Sequence, residues 1–171
     1  AMLIASNIAR FLEHKHYQRT DGFSRLYNKS EFHNNLVNYW NKATGNEIHC
    51  LGVMLDFDRF KEINDTYGHA AGDEVIKSIA NYLKRLEVER VRIPYRIGGD
   101  EFAYTYLFEG DLPERMVESE STKFLERLVR DMDQIWVPEG HPKISASIGA
   151  AITKNGEYHA LVQERPIHSR K

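Results

Sequence analysis

Cysteine is nearly missing from this chain. The single Cys50 among 171 residues excludes an intrachain disulfide framework, and its place in an apolar run marks it as a buried core thiol. Long apolar runs are missing too. None reaches the roughly 18 residues that a membrane span needs, and no signal peptide is evident. Charge of one sign is not in excess. The net charge of -2 provides no global basic field, which argues against nucleic acid as a partner. The eight histidines lack ligand spacing, which argues against a zinc site. Internal repeats and low-complexity tracts are absent. The remainder is ordinary for a soluble globular domain, with 42% hydrophobic and 28% charged residues on a chain long enough for one real core. The expectation is a cytoplasmic domain with no membrane contact of its own, inside a parent protein that is either soluble or membrane-anchored.

Read along the chain, residues 2–19 carry Leu3, Ile4, Ile8, Phe11 and Leu12 on one helical face. They are expected to form an N-terminal linker or signalling helix over 1–19, ahead of a domain over 20–171. Thr20 to Ser24 reads as a turn. Ser30 opens a helix to about Asn41, with Phe32, Leu36, Val37 and Trp40 turned inward. Ile48 to Phe57 is the strongest strand, apolar enough for a centre covered on both faces. A short helix runs from Phe60 to Tyr67 and stops at Gly68, which suits a left-handed position. Gly72-Asp73 opens a longer helix to about Leu86, with Asp73 in its first turn. A helix after Pro113 carries Phe124, Leu125, Leu128, Val129, Met132, Ile135 and Trp136 on its apolar face. Ile144 to Ile152 reads as a strand, and His159 to Gln163 as helical. This order predicts an α+β domain, a mainly antiparallel central sheet flanked by helices.

The chemistry gathers at Arg96-Ile97-Gly98-Gly99-Asp100-Glu101-Phe102. Alternating residues on both sides of Gly98-Gly99 read as a hairpin with a two-residue turn, its strands near Val91–Ile97 and Phe102–Leu107. Glycines can take φ > 0 and leave no Cβ between backbone and ligand. Exposed backbone N–H groups followed by Asp100 and Glu101 suit a phosphate bound with a metal ion. A surface turn with solvated acids explains the hairpin alone equally well. Upstream, Asp56 and Asp58 flank the end of the Ile48–Phe57 strand. If that strand lies beside the hairpin, two acid pairs meet as hard oxygen ligands for Mg²⁺, with Lys61 and Arg96 near enough for phosphates.

At these residues the sequence resembles the GGDEF domains, the diguanylate cyclases of bacterial signalling. Residues Arg96 to Phe102 match the family signature. Asp56 to His69, followed by Gly72-Asp73, match its second long motif. Asp21-Gly22-Phe23-Ser24 looks like a diverged form of its opening Asp-x-Leu-Thr turn, and Ser147-Ile148-Gly149 matches its late strand. The resemblance covers about residues 20–152. It implies a palm-like fold related to class III nucleotide cyclases. It also implies conversion of two GTP into cyclic di-GMP, by two subunits of a homodimer facing each other, under an upstream sensor domain.

The resemblance further implies roles for single residues. Asp56 and Asp100 are expected to ligate Mg²⁺ or Mn²⁺, with the Phe57 carbonyl near the metal. Glu101 is expected to assist deprotonation or metal binding. Asn64 and Asp73 would read the guanine edge. Gly98, Gly99, Phe60 and Lys61 would line the triphosphate. Asp21 and Arg96 would form a structural ion pair, and Asp58 is as much structural as ligating. Two departures stand out. The family's feedback site is an Arg-x-x-Asp ending six residues before the first glycine, but Glu89 and Arg92 hold those positions here, which predicts no such site. The family's closing phosphate-binding helix is not recognisable after about residue 155, where this chain reads Leu161-Val162-Gln163-Glu164-Arg165-Pro166. That departure keeps open an alternative: a catalytically impaired module that binds GTP or a protein partner as a regulatory domain.

Overall fold

The apolar run Ile48–Phe57 forms one strand over its whole length, and the sheet is built on it. The computed structural model describes residues 19–44, 48–88, 91–110, 112–141, 143–154 and 157–162. The strands are β1 (Tyr27–Asn28), β2 (Ile48–Phe57), β3 (Arg92–Gly98), β4 (Glu101–Glu109), β5 (Ala146–Lys154) and β6 (Glu157–Val162). The helices are α1 (Lys29–Thr44), α2 (Phe60–Tyr67), α3 (His69–Arg85) and α4 (Glu114–Arg130), with a 3₁₀ turn at Asp131–Gln134. The sheet order is β1-β3-β4-β2-β5-β6. β2 pairs antiparallel with β4 on one side and β5 on the other, and the short β1 runs parallel to β3. The expected mainly antiparallel α+β architecture is what forms. Among the described residues no helix is long and apolar enough to cross a membrane. The expected N-terminal helix lies outside the described residues except for Arg19, and so does the tail from residue 163.

Successive strand residues point to opposite faces, and β2 divides the interior accordingly. Leu51, Val53, Leu55 and Phe57 enter the main core with Val75, Ile79 and Leu83 of α3 and Phe124 and Leu128 of α4. Ile48 and Cys50 pack on the other face with Tyr39 and Ala43 of α1 and with Leu107. Burial pushes the Cys50 thiol up to about 12, so it stays protonated in the core. Further along that second face Met54 is 41% exposed, and Asp56 is exposed. The strand is therefore not covered on both faces throughout. Helix α1 covers its beginning and leaves its end open. Helix α1 is fixed to the hairpin strands by Asn35 Nδ2, which donates to the Tyr95 hydroxyl at 2.9 Å. That hydroxyl in turn meets Thr105 Oγ1 at 3.0 Å.

Several boundaries differ from the sequence expectation. Asn28, not Ser30, caps α1, because its Oδ1 accepts the Glu31 N–H at 3.0 Å. Val37 is 53% exposed, and Tyr39 and Ala43 take inward places on that helix. The side chain of Trp40 lies outside what is described. Beyond α4 the expected apolar face continues through Met132 and Ile135, both buried in the main core, and fails only at Trp136. That helix stops at Arg130, and the tighter 3₁₀ turn changes the period, leaving Trp136 exposed.

Helix α3 begins at His69, so Gly72 is its fourth residue and Asp73 lies beyond the first turn. Gly68, at φ 84° and ψ 162°, sits between the two helices outside the left-handed helical well. Residues 159–162 are not helical. They belong to β6, which pairs antiparallel with β5 from Lys154↔Glu157 to Ala150↔Val162. A short apolar segment has no periodicity of its own to choose strand or helix, and the open edge of β5 decides it.

Candidate active site

The open end of β2 meets the turn between β3 and β4. Asp56 stands directly opposite Glu101 in the β2–β4 register and opposite Ser147 in the β2–β5 register. The turn differs by one residue from expectation. Gly98 is still paired, opposite Glu101, after a shift in register past Arg96. The two central residues are therefore Gly99 and Asp100. Gly99 has φ 53° and Asp100 has no positive φ, the pattern of a II′ turn with glycine first. A Cβ built on Gly98 or Gly99 meets nothing within 4 Å, so the space beside both is open.

Four carboxylates share this end of the sheet. The Asp56 carboxyl lies above the ordinary carboxylate range, first from burial and then from the like charges of Asp100, Glu101 and Asp58. Asp58 is tied down: its carboxylate accepts the Ser145 hydroxyl at 2.7 Å and the Ser147 hydroxyl at 3.0 Å. Its backbone N–H donates to the Ser145 carbonyl at 2.9 Å. These contacts give Asp58 a structural task, stitching the end of β2 to the start of β5. Phe57 anchors the same strand end from below, its ring edge-on to Phe102 at 5.6 Å. Among the described residues no three His, Cys, Asp or Glu side chains stand close enough as placed to hold a metal ion. The donors are of the hard-oxygen kind that a divalent cation takes: Asp56 lies opposite Glu101, beside the turn that carries Asp100.

Arg96 joins the opening turn to the glycine turn. Its Nη1 donates to Asp21 Oδ1 at 3.1 Å. Its Nε and Nη2 both donate to the Gly99 carbonyl, at 3.1 and 2.9 Å. Asp21 Oδ1 also accepts the Ser24 N–H at 2.7 Å. Burial alone pushes the Asp21 carboxyl up, but the hydrogen bonds from Ser24 and the Arg96 guanidinium outweigh it and hold it below its usual value. Spacing alone gives no hint of the fork onto Gly99.

The remaining residues lie on the helices that follow β2. Phe60 and Lys61 open α2, after Arg59 in a left-handed conformation at φ 62°. Phe60 is half-buried and Lys61 exposed. Asn64 is half-buried at the elbow between α2 and α3, where its carbonyl accepts the Gly68 N–H at 3.0 Å. Asp73 is exposed on α3. Acids and glycines thus gather at one sheet end, while Asn64 belongs to the helical elbow.

The chain matches the family described as diguanylate cyclase, GGDEF domain, over residues 18–165. It is 30% identical over 146 residues to the probable diguanylate cyclase DgcT of Escherichia coli K12, covering 82% of this chain and 30% of that protein. It is 32% identical over 155 residues to the diguanylate cyclase DgcN of the same strain, covering 87% and 35%. The chain therefore spans about a third of the length of these relatives. Among solved structures, it is similar to the coiled coil and GGDEF domain of DgcB from Caulobacter crescentus in complex with c-di-GMP. The TM-score there is 0.70 and the identity 29%, with 90% of this chain and 81% of that chain covered.

Proposed function

Because the chain belongs to the GGDEF-domain family of diguanylate cyclases, we propose that it condenses two GTP into cyclic di-GMP and releases two pyrophosphates. The observation that carries this reading is the register pair Asp56↔Glu101 beside the Gly99–Asp100 turn, at the uncovered end of β2. Two acids from adjacent strands and an unobstructed glycine backbone suit a nucleoside triphosphate carried with a cation. Diguanylate cyclases of this family generally depend on a divalent metal. Here Asp56, Asp100 and the Phe57 carbonyl would hold Mg²⁺, or Mn²⁺ on the same oxygens, with Glu101 in reach. When bound, the ion supplies Lewis-acid polarisation of phosphoryl oxygens.

The chain's own residues do the rest. Gly98 and Gly99 admit the triphosphate to the backbone, and Phe60 and Lys61 border it from α2. Asn64 and Asp73 read the guanine edge, an amide and a carboxylate matching its acceptor and donors. Glu101 takes up the proton as a 3′-hydroxyl attacks the α-phosphate. Each new phosphodiester bond replaces one bond to pyrophosphate. Since each subunit holds one GTP, two subunits must face each other. The regulatory alternative, binding without turnover, is not favoured, because the family match and the relatives at 30% identity or more are diguanylate cyclases.

The face-to-face requirement sets the test. The rate of product formation per subunit is expected to rise with protein concentration across the monomer–dimer transition measured by sedimentation. A rate per subunit that stays constant across that transition contradicts a reaction shared between two subunits.

A further inference from the structure

Gly72 is a glycine in the interior of a 17-residue helix. Glycine there is a net cost relative to alanine. Its backbone has no positive φ to justify the choice. What glycine supplies at this position is space. A Cβ built on Gly72 would lie 2.0 Å from Asn64 Oδ1, 3.0 Å from Asn64 Cγ and 3.2 Å from Phe60 Cζ. The position is buried, and the room a side chain would take is already filled by the Asn64 amide and the Phe60 ring.

The surrounding backbone holds this arrangement. The Gly68 N–H donates to the Asn64 carbonyl at 3.0 Å, and the Gly72 N–H donates to the Gly68 carbonyl at 3.3 Å. Asn64, Gly68 and Gly72 therefore form one hydrogen-bonded elbow that joins α2 to α3. The backbone of Asn64 is held by the elbow, and its amide occupies the room that the missing Cβ leaves.

We infer that Gly72 is a positioning residue for nucleotide selection: it leaves the Asn64 amide room for the orientation that meets the guanine base. This rests on the proposed reading of Asn64 as a base contact. An alanine at 72 cannot coexist with Asn64 Oδ1 where it lies. The amide is the end of a rotatable, half-buried side chain, so it swings away while the helix persists. Asp73, the next residue, then reads the base without its partner.

The test is a cycle of four proteins: the unaltered chain, Gly72→Ala, Asn64→Ala and the double variant. GTP affinity is measured by calorimetry with Ca²⁺ in place of Mg²⁺, and thermal melting is followed alongside. Gly72→Ala is expected to weaken GTP binding roughly ten- to hundredfold, as loss of a buried polar contact does. Asn64→Ala should weaken it similarly, and the double variant should be no worse than Asn64→Ala alone. Unchanged affinity in Gly72→Ala, or losses that multiply in the double variant, would overturn the inference. Should Gly72→Ala fail to fold, removal of the Asn64 amide in the double variant must restore folding, and its failure to do so overturns the inference as well. An unaltered chain that binds no GTP would instead sink the proposed function on which this rests.

Discussion

Asp56→Asn is expected to remove turnover and, at neutral pH without metal, to raise the melting temperature. The amide keeps the shape of the carboxylate and loses the charge that a cation needs, so activity should fall roughly a hundred- to thousandfold or more. The gain in stability follows from linkage. The Asp56 carboxyl is raised, first by burial and then by Asp100, Glu101 and Asp58. A raised carboxyl imposes no cost below its unfolded value. The cost builds as pH rises from the unfolded value through the folded value, where the charge forms among like charges. The asparagine variant escapes that cost. Solvent screening at this exposed strand end keeps the gain small, so the melting temperature should rise by on the order of a few degrees at neutral pH. The difference should vanish in the acid range, where both side chains are neutral. Magnesium should stabilise the unaltered chain more than the variant. Thermal melts across pH, with and without Mg²⁺, check each part. A variant that melts lower at neutral pH, or that retains turnover, contradicts this account of the site.

Arg96→Met is expected to cost both stability and activity, and Arg96→Lys should rescue little. The guanidinium spans Asp21 and the Gly99 carbonyl, with three donors in fixed directions. A single ammonium cannot reproduce that fork. Losing it leaves the partly buried Asp21 without its cation, at about 1.5–3 kcal/mol. It also frees the turn that carries Asp100, and a misplaced catalytic group typically costs on the order of a hundredfold in rate. The pH dependence has the opposite sign to that of Asp56. The Asp21 carboxyl is held below its ordinary value, so it contributes stability above the unfolded value and loses it as pH falls through the folded value. Without Arg96, burial meets less opposition, the carboxyl rises and acid unfolding begins at higher pH. Circular dichroism followed down the acid limb measures this. An unchanged acid midpoint together with turnover within about twofold of the unaltered chain would show that the fork has no role in positioning.

How far the sequence reveals this fold depends on whether a feature is local. The limits of β2 and α2 are legible because a continuous apolar run and a short amphipathic pattern end in strong signals, Asp56-Phe57-Asp58 and Gly68. The glycine pair announces a turn but not which peptide takes the positive φ. Pairing of Arg96 with Phe102, and the shift that follows, moves the turn to Gly99–Asp100. Asp73 looks like a helix start beside Gly72, yet Gly68 has already allowed α3 to begin at His69. The last strand is illegible for another reason: six residues are too few for period to choose, and the neighbour β5 chooses instead. Its one local signal is Asn155-Gly156, a favoured hairpin dipeptide. At the site, the acids are legible as a motif. The Arg96 fork and the seat at Gly72 are contacts between segments, which spacing within one segment does not encode.

The most direct measurement is product analysis of the chain incubated with GTP and Mg²⁺ at a concentration where it dimerises. Nucleotides are separated by chromatography and identified by mass, and pyrophosphate is counted in parallel. The expected result is cyclic di-GMP with two pyrophosphates for each molecule formed, and none from a Glu101→Gln control that melts like the unaltered chain. GTP recovered intact from the folded, dimeric chain would contradict a cyclase built on this sheet end.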